Sequence, residues 1–219
     1  MARSHGEDLP FGRWSSLCQN LGIVSPSAIE QEFVLLSDAY GESHRAYHTA
    51  QHINECLTLL DALDNSVTAQ QLWVLEMALW YHDVVYQPRL QDNEQRSAGK
   101  AAAFLQAHAV AAVRQVTALV MATCHGIDRG DKSPLAAWMV DIDLAILGAL
   151  PARFLQYEHQ IRQEYGWVSP AVYQLKRRQV LSQFLQRSRL YHSPLFFEQF
   201  EHRARENLLW LLSDPSLLA

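Results

Sequence analysis

One stretch limits the choice of fold more than any other. After Thr68 the chain reads QQLWVLEMALWYHDVVY, apolar almost all the way round a helical wheel. A helix of that kind has no face for water, so it belongs at the centre of a bundle with other helices packed around it. Its end carries His82 and Asp83. Histidine suits the negative end of a helix dipole, but aspartate does not. An ionised Asp beside a core is costly unless it is paired or bound to a metal. The end of this helix therefore reads as a site rather than a cap.

The remaining sequence is helical in period almost throughout. It holds only 9 Gly and 8 Pro, and no run alternates β-branched with polar residues. Ser25-Pro26 and Ser27 open a helix that runs to about Tyr40. A second is expected from about Ala46 to Leu63, with Ile53, Leu57 and Leu60 on its apolar side. Asp92 or Asn93 opens and caps NEQRSAGKAAAFLQAH, and VRQVTALVMATCHG ends at Gly126. Ser133-Pro134 opens LAAWMVDIDLAILG, closed by Gly148, and Pro151 starts a helix to about Tyr165. Ser169-Pro170 begins a basic helix through KRRQVLSQFLQR, and the last runs from about Ser193 to Leu212. No linker or repeat interrupts the series. The reading is all-α: one compact helical domain over residues 1–219, of eight or nine helices.

Composition removes several classes of function. A net charge of -5 disfavours a nucleic-acid coat or a membrane-surface protein. Cys18, Cys56 and Cys124 are scattered and odd in number, which implies no disulfide framework and a reducing compartment. No apolar run is long enough for a membrane span, and MARSHGEDLPFGRW lacks the pattern of a secretory leader, so the cytoplasm is expected.

Histidine is the unusual component, with 10 in the chain. In YHTAQH, His48 and His52 stand four apart and on a helix would share a face. His82 and Asp83 are adjacent. Successive helical residues point about 100° apart, so both reach one ion only where the helix end or a broad cleft lets them converge. Asp141 and Asp143 sit in VDIDLAIL, where two acids in an apolar helix call for cations. The plainer reading there is one exposed Asp and one core Asp paired to Arg. Imidazole and carboxylate together are donors that Mn, Fe, Zn, Co or Mg accept, as one ion or two.

The ordered set RAYHTAQHI, ALWYHDVVYQP, DNEQRSA and DIDLAILG resembles the HD superfamily of metal-dependent phosphohydrolases. Within it, the set is similar to a bacterial group described as predicted metal-dependent HD phosphohydrolases. The likeness runs from about Arg45 to Leu147, the expected metal-binding core, and extends through IRQEY and ARENL into the C-terminal helices of about 150–212. The resemblance implies an HD-type fold and ligands His52, His82, Asp83 and Asp143, with Asp141 the alternative if the register slips by two. YHTAQH also resembles the YHN-x-x-H element of cyclic-nucleotide phosphodiesterases, with Thr49 where that element has Asn. That likeness makes His52 a metal ligand and His48 the general acid. As a ligand in such a mechanism, Asp83 would bridge two ions if a second is present, or orient the attacking water.

Weaker candidates surround this set. His125 could contact phosphate or a second metal, or simply end its helix. Arg45, Arg162, Arg177 and Arg205 suit phosphate recognition; for any one of them a salt bridge to Glu164, Glu94 or Glu201 is the plainer reading, and one or two are expected to face the pocket. The expected activity is hydrolysis of a phosphate ester or anhydride on a small, nucleotide-like molecule. No nucleic acid or membrane partner is expected, and a homo-oligomer is left open. The competing readings are a metal-containing ligand sensor without turnover and a di-iron oxygenase on the same fold.

Overall fold

Thr68 and Gln71 start the central helix by exchanging hydrogen bonds. The Thr68 hydroxyl accepts the Gln71 N–H at 3.3 Å, and the Gln71 amide oxygen accepts the Thr68 N–H at 2.9 Å. The helix itself, α4, spans Ala69–Tyr81, and Val74, Leu75 and the whole run from Met77 to Tyr81 are buried. The computed structural model describes residues 8–63, 67–124 and 133–214. Among these residues all regular structure is helical. Before α4 come α1 (Phe11–Asn20), α2 (Pro26–Tyr40) and α3 (Ala50–Asp61). After it come α5 (Asn93–Ala107), α6 (Val113–Ala122), α7 (Pro134–Leu144), a 3₁₀ turn (Ala145–Gly148), α8 (Pro151–Glu164), α9 (Pro170–Gln186) and α10 (Pro194–Ser213).

These ten helices exceed the eight or nine expected from sequence. The addition is α1, which follows Pro10 and has no side-chain cap to announce it. Its Trp14 is fully buried, with its ring 5.3 Å from Trp80 and 5.7 Å from Phe104, and its indole N–H donates to Ile29 O. Other starts follow the sequence reading. Ser25 caps α2 and Ser193 caps α10 through their hydroxyls, each ahead of a proline in the first turn. Asp92 does not cap α5 with its side chain; the carboxylate takes Arg96 Nε at 2.8 Å instead.

The described residues form two compact units that divide between Met139 and Val140, inside α7. The first is built on α4, against which α1, α3, α5 and α6 pack. The second is built on α10. Asp141, buried near the end of α7, accepts the His192 and Ser193 N–H groups at 2.9 and 2.7 Å with its two carboxylate oxygens. Tyr191 donates its hydroxyl to Leu144 O, and Asn207 donates to Leu147 O and Ala149 O. Those bonds tie the end of α7 and the 3₁₀ turn to α10. Gly148 permits the closest approach: a Cβ there would lie 2.8 Å from Phe200 Cβ and 2.9 Å from its carbonyl oxygen. No single described helix is long and apolar enough to cross a membrane.

Candidate metal centre

The helical pattern of the central segment continues through Tyr86, but α4 stops at Tyr81. The reason is the supply of partners for its last carbonyls, which a helix end leaves open. Leu79 O accepts His82 Nδ1–H at 2.9 Å, Trp80 O accepts the Tyr40 hydroxyl at 2.8 Å, and Tyr81 O accepts the Val84 N–H. Arg45 takes two carbonyls beyond the helix end: it donates to Asp83 O at 2.6 Å and to Val84 O at 3.1 Å. Burial, with the Asp83 charge nearby, holds the Tyr40 phenol well above its ordinary pKa, so it remains a donor. The following loop is fixed from α5. Val85 exchanges hydrogen bonds with the buried Ser97 hydroxyl, and Gln87 exchanges two with the Asn93 amide.

The turn lets His82 and Asp83 converge where a continuing helix would separate them. His82 Nε2 lies 3.0 Å from Asp83 Oδ2, and His52 Nε2 lies 3.1 Å from His82 Nε2 and 3.6 Å from Asp83 Oδ2. His52 and His82 are buried, and Asp83 is half-buried. The chemistry of these contacts is more informative than their closeness. Leu79 O can only accept, so Nδ1 of His82 carries a proton and Nε2 is the ring atom left to face the site. It lies at hydrogen-bond distance from a carboxylate oxygen. A cation shared between the two, either a proton on Nε2 or a metal ion, favours that approach. Nitrogen and oxygen donors about 2.0–2.2 Å from one ion stand roughly 2.8 to 3.6 Å apart for angles between right and tetrahedral. The three separations fall in this range, with the longest at its upper end. The bond from His82 Nδ1–H to a backbone carbonyl is also the outer-shell arrangement that orients metal-binding histidines. His52, His82 and Asp83 can therefore hold a metal ion. Behind His52, the Cys56 thiol lies 3.7 Å from Nδ1.

His48 is near this group, but not on the helix expected for it. Thr49 is extended (φ −120°, ψ −177°), and α3 begins at Ala50, four residues later than the sequence pattern suggests. The His48 ring nevertheless lies 6.1 Å from that of His52, stacked on Tyr86 at 3.8 Å.

Arg45 lies behind the site. Its side chain is fully buried, and besides the two carbonyls above it donates to His48 O at 3.1 Å and to Glu42 Oε2 at 2.9 Å. The geometry commits this guanidinium to holding backbone.

Most of the other sequence candidates lie in the second unit. Asp143 stands half-buried on the last turn of α7, in the second unit. Asp141 spends both oxygens on α10; burial pushes its carboxyl up, and the N–H groups of Ser193 and His192 offset part of that rise. In the second unit Arg162 donates to Tyr165 O and packs over the Tyr173 ring at 4.7 Å. Arg177 binds Glu158 through Nε and Nη2 and donates to the Tyr157 hydroxyl at 2.9 Å. Burial opposes the Arg177 charge, yet Tyr157 and Glu158 hold its pKa well above the ordinary value. Arg205 pairs with Glu201 and three backbone carbonyls. His125 lies outside the described residues. Sequence reasoning missed Tyr86 and Ser97 and read Asn93 only as a helix cap. Asn93 and Ser97 left a signal, as hydrogen-bonding residues four apart on one face of α5.

No family model matches this chain, and neither a curated protein nor a solved structure does so.

Proposed function

We propose that the chain is a metal-dependent phosphohydrolase of HD type, acting on a phosphate ester or anhydride of a small, nucleotide-like molecule. The observation that carries the reading is the convergence of His82 Nε2, His52 Nε2 and the Asp83 carboxylate within 3.0 to 3.6 Å of one another. A two-imidazole, one-carboxylate set suits a first-row divalent ion or Mg. The family resemblance adds Asp143 as a second carboxylate. The other acid on α7, Asp141, accepts the N–H groups of His192 and Ser193 just ahead of α10.

A divalent ion held there would polarise a phosphoryl oxygen and lower the pKa of bound water. The remaining work falls to side chains. Asp83, the most accessible of the three donors, accepts a hydrogen bond from the attacking water and so orients it. His48, held against Tyr86, donates a proton to the leaving oxygen, a task that suits an imidazole near neutral pH. Arg45 keeps His48 and Asp83 in register through their carbonyls.

The test is elemental analysis of purified protein, followed by phosphate release from nucleoside mono-, di- and triphosphates and cyclic nucleotides with Mn, Fe, Co, Zn or Mg. Release should require metal and disappear in Asp83→Ala. Bound metal without release on any substrate would favour a sensor, and release that survives in Asp83→Ala would contradict the assignment.

A further inference from the structure

His48 precedes α3, so no helical backbone fixes its ring, and the residue is only half-buried. A proton donor in such a place needs support from elsewhere, because misplacement by about 1 Å can cost on the order of a hundredfold in rate. The support comes from the loop that carries Asp83. Three residues past that ligand, the buried Tyr86 ring lies under the His48 imidazole, with centroids 3.8 Å apart and planes 24° apart. Tyr86 is itself held from two sides. His44 Nε2–H donates to its carbonyl at 2.7 Å, and the Arg45 guanidinium lies 5.7 Å from its ring centre. Tyr47 closes the remaining side with its ring edge-on to His48 at 5.0 Å.

We propose that Tyr86 is a positioning residue: its ring is the platform that sets the His48 imidazole toward the leaving group. One loop then supplies both the metal-binding carboxylate and the seat of the proton donor, so movement of one carries the other. The flat ring does this work, and the hydroxyl is dispensable. The assignment of His48 as donor rests on the proposed hydrolase activity; the platform itself does not.

The experiment compares wild type with Tyr86→Phe, Tyr86→Leu and His48→Gln, the last assigning the His48 ring C–H resonances in histidine-labelled protein. A proton over the face of an aromatic ring is shifted upfield. The Phe variant should keep that shift and the Leu variant should lose it, with metal content equal in all. Should the Leu variant not fold, Tyr86→Met carries the same comparison. Hydrolysis supplies the second reading. On a nucleoside monophosphate, whose leaving oxygen needs a proton, Tyr86→Leu should be slower by about 10- to 100-fold, less than or equal to the loss in His48→Gln. On p-nitrophenyl phosphate, whose nitrophenolate leaves without a proton, Tyr86→Leu and His48→Gln should each lose at least about threefold less than they lose on the monophosphate. An unmoved His48 resonance in Tyr86→Leu, equal losses in Phe and Leu, or loss of metal in Leu alone would overturn the proposal. Absent hydrolysis in wild type, with the resonances behaving as described, would instead overturn the hydrolase reading and leave the platform standing.

Discussion

Arg45→Met tests whether this arginine holds the site together or binds substrate. The wild-type guanidinium donates to the carbonyls of His48, Asp83 and Val84 in a place closed to water. Methionine fills much of the same volume but donates nothing. Each carbonyl then loses a bond to a charged donor, and leaving such a group unpaired costs about 1–3 kcal/mol. The Glu42 contact adds little, because that carboxylate is 41% exposed and water screens the pair. Allowing for partial relaxation, the sum is about 3–6 kcal/mol. For a chain of this size that corresponds to a fall in Tm on the order of 10 °C. Urea unfolding followed by circular dichroism measures the first figure and a thermal scan the second. Arg45→Lys should fall between, since one ammonium cannot reach all three oxygens in the guanidinium's geometry. A loss under about 1 kcal/mol, accompanied by a raised KM, would refute the clamp and return Arg45 to the substrate.

Asp141→Asn should lower stability by about 1–3 kcal/mol, because an amide offers one acceptor where two N–H groups need partners, while metal content stays at the wild-type level. Asp143→Asn should do the opposite, keeping stability and losing metal; the reverse pattern in elemental analysis would exchange their roles. Gly148→Ala should cost about 1–3 kcal/mol in denaturant unfolding, since the new Cβ meets the backbone of Phe200 as well as its side chain. Burial and Glu32 push the Cys18 thiol up to about 12, so at pH 8 it is protonated and shielded. Alkylation followed by mass spectrometry should label the half-buried Cys124 first and Cys18 only on unfolding; labelling of Cys18 at the rate of Cys124 in the folded protein would contradict this.

The central helix was legible because its composition admits one environment, and the structure buries its last five residues completely. Proline and serine pairs marked the starts of α2, α9 and α10 for an equally local reason. Where those helices stop was less legible. The pattern of the central segment runs on through Tyr86, but the chain turns at Tyr81 because Tyr40 and Arg45, distant in sequence, satisfy carbonyls in and beyond the last turn. That turn joins His82 and Asp83. The motif therefore named the candidate metal-binding residues without showing how adjacent ones could meet. His48 illustrates the same limit. Its spacing from His52 suggested a shared helical face, whereas the two rings come together across a bend, with Tyr86 as support. The arginines were ambiguous in sequence because phosphate and carbonyl oxygens ask for the same donor. Arg45, Arg177 and Arg205 all resolve toward partners within the chain.

The most direct test of the account is the metal content of purified wild type beside His52→Ala, His82→Ala and Asp83→Ala, each checked for folding by circular dichroism. The account predicts a bound divalent ion in wild type and its loss from all three folded variants, with the Asp83 change among the most damaging. Full metal content in folded Asp83→Ala, or a wild type that binds none of Mn, Fe, Co, Zn and Mg, would contradict it.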